Sequence, residues 1–435
     1  MKNIDTHSLF FPSQHITDPK WFAGRKNDIE NALQSLCIPG ASMIIFGERG
    51  VGKTSFLEMV KMLASGESNH LIYKYNFQKR FSPSKLKYKI ISFTCNDGSK
   101  TTAKVLQNLI TNPDGLKKFI SSKKEYEEIE KRVKGGLGGI LSFLSVDGES
   151  SIRRRQREFQ EEDIFELFTN LIKTISGQFL SKDEGLLIVV DEFDLVEDSR
   201  KMASLIKTLS KDKVKFALSG IADSYQNLIE GHASINRQIM YGRINIKSMS
   251  EQEIKEVFDL IEKNTEGKIR FDPAFYKEVN QRSNGFPYFV QLLGQLALDN
   301  ALQIEAPSTP YIINNKHLKN GIKKLSFYEV QMEDDYKSII GDNPEKEFII
   351  RYLAKQISKK IKDEDIFNYC YKAGMQVPQP KNIMKSLLAH REPHFLIREK
   401  EKSDYVMFVN SLFKTYINAR NVELIKMQDG KFILP

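Results

Sequence analysis

Two short stretches have the residue types and spacing for phosphate chemistry. GERGVGKT, residues 47–54, fits the pattern GxxxxGK[ST]. Its glycines, Gly47, Gly50 and Gly52, let backbone amides, that of Val51 among them, wrap a phosphate. The positive end of the following helix dipole adds to that attraction. Lys53 would reach the β- and γ-phosphates, the Thr54 hydroxyl would bind Mg²⁺, and Ser55 completes the nucleotide-binding set. The second stretch is GLLIVVDEFDLV, residues 185–196. Asp191 would hold the metal, and Glu192 would orient or deprotonate an attacking water. Asp194 is either a third acidic group or the cap of the next helix. ATP with Mg²⁺ is the expected cofactor pair.

These residues need a strand before each of them. ASMIIFG supplies a β-rich apolar run ahead of the glycine loop, and an amphipathic helix follows it. Leu186 to Val190 are unbroken apolar, as in a strand covered on both faces, and the acidic pair sits at its C-terminal edge, where α/β folds collect ligands. YKIISFTCND, VKFALSG and RINIKSM read as further strands. TTAKVLQNLI, DIFELFTNLIKTISGQFL and SRKMASLIKTLS read as helices between them. That alternation predicts an α/β fold, a parallel sheet covered by helices.

A chain of 435 residues, 40% apolar and 28% charged, calls for two or three domains of ordinary globular composition. Cys37, Cys95 and Cys370 lie far apart without a CxxC or a nearby histidine, which argues against zinc or disulfides and suits a reducing compartment. MKNIDTHSLFFPSQH lacks the apolar run of a secretory signal, and no segment approaches about 18 apolar residues, so a cytoplasmic protein without membrane contact is expected. The net charge of +9 fits a solvated lysine-rich surface or attraction to nucleic acid.

WFAGRKNDIENAL (21–33), DEFD (191–194) and LSGIADSYQNLIEGHASINRQ (218–238) together resemble AAA+ P-loop ATPases of the origin-recognition and STAND-like branches, over about residues 20–300. The resemblance implies that 21–33 flanks the adenine, which adds Phe22 and Arg25 to the nucleotide site. It implies a polar sensor after VKFALSG, either Ser219 or Asp223. It places Arg237, with Arg243 as the alternate, near the arginine finger that one subunit inserts into the next, so a homo-oligomer is implied. It further implies a helical lid. There NGFPYFVQLLG (284–294) has Pro287 where the origin-recognition branch often has a sensing arginine. Pro287 fits helix position N1 and resembles the Gly-x-Pro element of the STAND-like branch. Without that cation, ATP binding should persist while hydrolysis by Glu192, Lys53, Arg237 and Ser219 is slow or partner-stimulated.

The expected organisation is a nucleotide-binding core over 1–250, with insertions near 69–86 and 122–160, then a lid over 251–325. A linker over 326–342 and a winged-helix domain over 343–435 complete it. The first insertion is basic and aromatic. The second contains GGLGG and the cluster Arg153, Arg154, Arg155 and Arg157, and reads either as a mobile surface loop or as a contact for phosphates or a neighbouring subunit. In the last segment, three helical patterns precede HFLIRE and YVMFVN, a helix-turn-helix variant with a β-hairpin wing. Lys381 and Lys385 on the third helix, with Arg398, Lys400 and Lys402 on or beside the wing, would meet phosphates. From residue 341 onward there are 17 basic and 12 acidic residues, a net of +5, mild for a DNA-binding module. Winged helices in the STAND-like branch often pack against the nucleotide domain instead.

The favoured reading is a Mg-ATP-binding, slowly hydrolysing switch that assembles through ATP and binds double-stranded DNA. The alternative is the ATPase signalling subunit of a bacterial defence system acting on a separate effector protein. Glu192 and the complete phosphate loop argue against a third reading, in which ATP is only a folding cofactor.

Overall fold

The computed structural model describes residues 8–119, 161–211, 213–229, 233–304, 310–341, 343–399, 404–420, 426–428 and 431–433. The second expected insertion with its arginine cluster, and Lys400 and Lys402, lie outside the described residues. The chain divides into two compact units. One comprises Ile16–Glu48 and Gly52–Lys247; the other takes in the described parts of Met1–His15, Arg49–Val51 and Ser248–Pro435.

The first unit is built on a five-stranded sheet of order β2-β3-β4-β1-β5. Its strands are β1 (Met43–Gly47), β2 (Tyr88–Thr94), β3 (Gly185–Asp191), β4 (Val214–Ile221) and β5 (Arg243–Asn245). Every pairing is parallel. All of β3 is buried, as its apolar run predicts for a strand covered on both faces. The intervening helices are α1 (Lys26–Cys37), α2 (Lys53–Ser65), α3 (Thr102–Thr111), α4 (Glu161–Thr174) and α5 (Ser199–Leu209). On α4 the spacing of Leu167, Phe168, Leu171 and Ile172 puts them on one stripe, and these are its buried residues. They join Ile44, Ile188, Val190, Ile206 and Phe216 in the core, each worth about 1.5–3 kcal/mol of transfer free energy.

The expected first insertion is folded structure, with a short helix at His70–Lys74 and single turns at Phe77–Lys79 and Pro83–Lys85. Lys74 Nζ donates to Phe22 O at 2.7 Å and the Tyr75 hydroxyl donates to Gly24 O at 2.5 Å. Phe77 and Phe81 pack edge to face at 6.1 Å. A lysine also lies inside this unit. Lys215, at 1% exposure in β4, donates to the carbonyls of Ser35 (2.9 Å), Ile38 (2.5 Å) and Ala41 (3.2 Å). Those carbonyls end α1 and the turn after it, where the helix dipole is negative and a cation is favoured.

The second unit begins with α6 (Glu251–Asn264), α7 (Pro273–Ser283), α8 (Pro287–Ile304) and α9 (Asn315–Ile322), with β6 (Ile269–Phe271) paired to β7 (Tyr311–Ile313). Ser250 and Glu253 close a capping box on α6. Between α7 and α8, Asn284 and Gly285 turn the chain with φ of 48° and 74°. A Cβ at Gly285 would stand 2.3 Å from Met249 O, so only glycine fits.

The span expected as a linker is largely helical, with Leu325–Tyr328 and α10 (Val330–Ile340). α10 is held by buried charge. Glu333 accepts from the Tyr416 hydroxyl and pairs with Arg420 at 3.1 Å, while the Tyr336 hydroxyl donates to Glu347 at 2.8 Å. The C-terminal segment then contains α11 (Pro344–Lys355), α12 (Asp363–Lys372), α13 (Gln379–Ala389) and α14 (Ser411–Ala419). Beside them lies a small sheet of order β8-β10-β9, from β8 (Ile361–Lys362), β9 (Leu396–Arg398) and β10 (Tyr405–Phe408).

Candidate phosphate-binding site

The site forms at the C-terminal ends of β1 and β3. β1 runs into the glycine loop at Gly47, and Gly50 and Gly52 take φ of 81° and 93°, conformations that side chains resist. Gly52 is also the N-cap of α2, which starts without a side-chain acceptor. Its first amides suit an anion. Lys53 Nζ lies back across the loop and donates to Gly47 O at 3.1 Å and Glu48 O at 2.7 Å. Burial holds its ammonium below the usual lysine range, opposed by the charges of Asp194, Asp191, Glu192 and Glu48.

The Thr54 hydroxyl donates to Asp191 Oδ2 at 2.9 Å. The other oxygen of Asp191, a residue only 6% exposed, accepts from Glu192 N at 2.9 Å. Two hard oxygen donors thus adjoin a phosphate loop, the set Mg²⁺ needs when phosphates complete its shell. Among the described residues no group of three or more His, Cys, Asp or Glu could hold a metal ion alone. Glu192 is exposed and has φ of 53°, a left-handed conformation that costs a non-glycine residue free energy.

Asp194 caps a strand and not the next helix. Its Oδ1 accepts from Ile221 N at 2.8 Å, tying the acidic turn to the end of β4. Of the two sensor candidates, Ser219 is fully buried beside Ile45 of β1, and its hydroxyl has no partner among the described residues. Asp223 is exposed beyond the strand. Beneath the acidic turn, Cys95 N donates to Asp191 O at 2.9 Å. Burial, with Asp191, Asp194 and Glu192 nearby, pushes the Cys95 thiol up to about 12.

The other expected residues are more scattered. Phe22 is buried, and so is Arg25, whose guanidinium donates to Lys247 O and so braces the segment. Ser55 Oγ accepts from Ile16 N at 3.0 Å. Arg243 is tied to Asn236 Oδ1 at 3.0 Å and lies 4.4 Å over the Tyr225 ring. Arg237 is exposed, and its side chain has no hydrogen bond or ion pair among the described residues. Pro287 opens α8 in the second unit. On α13, Lys381 and Lys385 are exposed, Lys381 being 5.9 Å from the Phe367 ring. Arg398 is engaged by Asp363 at 2.7 Å. Sequence reasoning missed Lys74 and Tyr75 as braces of the Phe22–Gly24 backbone; the YKY of the first insertion was their only signal.

Residues 39–228 match the model of an AAA domain. The parallel-sheet core with its phosphate loop and flanking helices has the AAA+ ATPase fold. No curated protein sequence matches the chain. Among solved structures, the Walker-type ATPase of Pyrococcus abyssi is 13% identical with a TM-score of 0.46, covering 93% of this chain and 98% of its own. An ORC1 protein of Aeropyrum pernix in complex with DNA is 11% identical with a TM-score of 0.38, covering 92% and 93%. A RuvB variant of Thermotoga maritima is 10% identical with a TM-score of 0.40, covering 92% and 97%. No helix among the described residues is long and apolar enough to cross a membrane.

Proposed function

We propose that the chain is a Mg-ATP-dependent switch that hydrolyses slowly, assembles through its nucleotide and binds duplex DNA through the segment after α10. The observation that carries the ATPase reading is the Thr54–Asp191 hydrogen bond beside Lys53. It puts a hydroxyl, a carboxylate and an ammonium together at the mouth of a glycine loop. Bound Mg²⁺ would neutralise phosphate charge as it develops. Thr54 and Asp191 are its protein donors, and the loop amides with Lys53 hold the phosphates. Glu192, exposed beside them, orients the attacking water and takes its proton. Ser219, with a buried hydroxyl in need of a partner, is the stronger sensor candidate. An aspartate facing phosphate would be repelled.

Arg237 supports the assembly reading, because an exposed, unengaged guanidinium is available to a neighbouring subunit while Arg243 is already held. The missing cation at Pro287 supports slow turnover. The DNA reading rests on three helices followed by a β-hairpin, with Lys381 and Lys385 exposed on α13. The test is titration of the full chain with ATP, with and without Mg²⁺, followed by phosphate release under single-turnover conditions. Lys53→Ala should abolish binding, and Glu192→Gln should keep binding and stop release. Fast release by dilute monomer would overturn the slow-switch reading. No binding at millimolar ATP would overturn the whole assignment.

A further inference from the structure

A groove of about 370 Å³ opens in the C-terminal segment, walled by Tyr352, Gln356, Lys360, Asn368, Tyr369 and Lys372. It lies between the end of α11, the turn after it, β8 and α12. One wall is a stack of rings. Tyr369 lies 4.0 Å from Tyr352 at 20° and 4.9 Å from Phe348 at 15°, yet stays 39% exposed. The Tyr352 hydroxyl donates to Asp365 O at 3.4 Å, which helps to fix the platform.

The turn forming the rim is fixed too. Lys414 Nζ donates to the carbonyls of Gln356 (2.5 Å) and Ser358 (3.2 Å), and Ser358 Oγ donates to Lys360 O at 2.6 Å. Beside the rim, Ile357 is 99% exposed. Lys360 is paired with Glu399, and Asp365 is the one carboxylate of the lining. Among the described residues, the Lys372 ammonium, the Asn368 carboxamide and the Tyr369 hydroxyl have no hydrogen-bond or ion-pair partner. Three adjacent polar groups on one helix, beside a prebuilt aromatic face, are therefore unspent.

We propose that this groove binds single-stranded nucleic acid, with a base stacked on Tyr369, its polar edge met by Asn368, and a flanking phosphate drawn to Lys372. A planar stack with a cation beside it is the combination that grips unpaired strands irrespective of sequence. A duplex keeps its bases stacked on one another, and the groove has the volume of a small ligand, far short of a double helix. An acidic peptide would satisfy the Lys372 ammonium but leave the aromatic face without a planar partner. The groove is separate from Lys381 and Lys385 on α13, so it does not depend on the duplex-binding reading.

The test is fluorescence anisotropy of the full chain with labelled oligothymidylate, oligouridylate and a mixed-sequence duplex, at several salt concentrations. Tyr369→Ala should weaken single-strand binding by about tenfold or more, and Tyr369→Phe should retain it. Lys372→Glu should weaken it and flatten its salt dependence. Neither change should alter duplex binding, whereas Lys381→Glu with Lys385→Glu should alter only that. Binding of either sugar type supports the site. If Tyr369→Ala lowers the melting temperature, Lys372→Glu, at an exposed position, carries the test. The proposal is overturned if no single strand binds at low salt, if Lys372→Glu binds like the parent, or if oligoglutamate displaces the strand at equal concentration.

Discussion

The Thr54 hydroxyl and Asp191 Oδ2 are 2.9 Å apart across 137 positions of sequence, joining the phosphate loop directly to the end of β3. On the proposed reading, the threonine and the aspartate serve a nucleotide's cation together. Thr54→Ala and Asp191→Asn should therefore lose the same thing. Each should weaken ATP binding in Mg²⁺ by about tenfold or more while leaving metal-free binding nearly unchanged, a coupling read by calorimetry with and without EDTA. Equal losses in both conditions would show that the pair holds the loop and not the cation.

Glu192 sits in a left-handed conformation with φ of 53°. A glycine there would release that strain. Glu192→Gly should stabilise the protein by about 1 kcal/mol, seen as a rise in melting temperature, while ATP turnover disappears. A fall in melting temperature would mean that the glutamate side chain contributes more to the fold than its backbone costs.

The thiols give a pH signature. Burial pushes Cys95 up to about 12 and Cys370 up to about 11, from an ordinary 9.0. Both therefore keep their protons in the fold where the unfolded chain has released them. Stability should fall as pH climbs past about 9, because the unfolded state binds fewer protons there. Native protein should react with maleimide at the exposed Cys37 first, and at the other two only in denaturant. Mass spectrometry of the labelled peptides checks both statements.

Arg237 and Arg243 should separate cleanly. Arg243→Ala removes the contacts to Asn236 and the Tyr225 ring, and should cost about 0.5–2 kcal/mol of stability. Arg237→Ala touches no such contact and should leave the melting temperature in place. It should lower turnover at high protein concentration by about 10³-fold if it acts across subunits, with little change in dilute protein. Mass photometry with ATP and ADP gives the accompanying assembly state.

Much of the core was legible because its signals are local. The glycine loop, the apolar run before Asp191 and the stripe on α4 each depend on neighbours within about a dozen residues, where periodicity is informative. What escaped depends on distant partners. Asp194 reads as a third acidic group or a helix cap until Ile221 arrives from β4 to donate to it. Arg398 reads as a free wing cation until Asp363 engages it. The stretch after α9 looks polar enough for a linker, yet Glu333 and Tyr336 are buried there by Tyr416, Arg420 and Glu347. Such charge pairing across long sequence separations leaves no periodic trace.

The enclosure of Lys215 under three carbonyls has a practical reach beyond stability. Amine-reactive reagents modify lysines they can meet, and most of the described lysines lie in their path. This one comes into view when the end of α1 and the turn after it come away from β4. Its rate of acylation, followed beside that of an ordinary surface lysine, would therefore time that separation, without any engineered label.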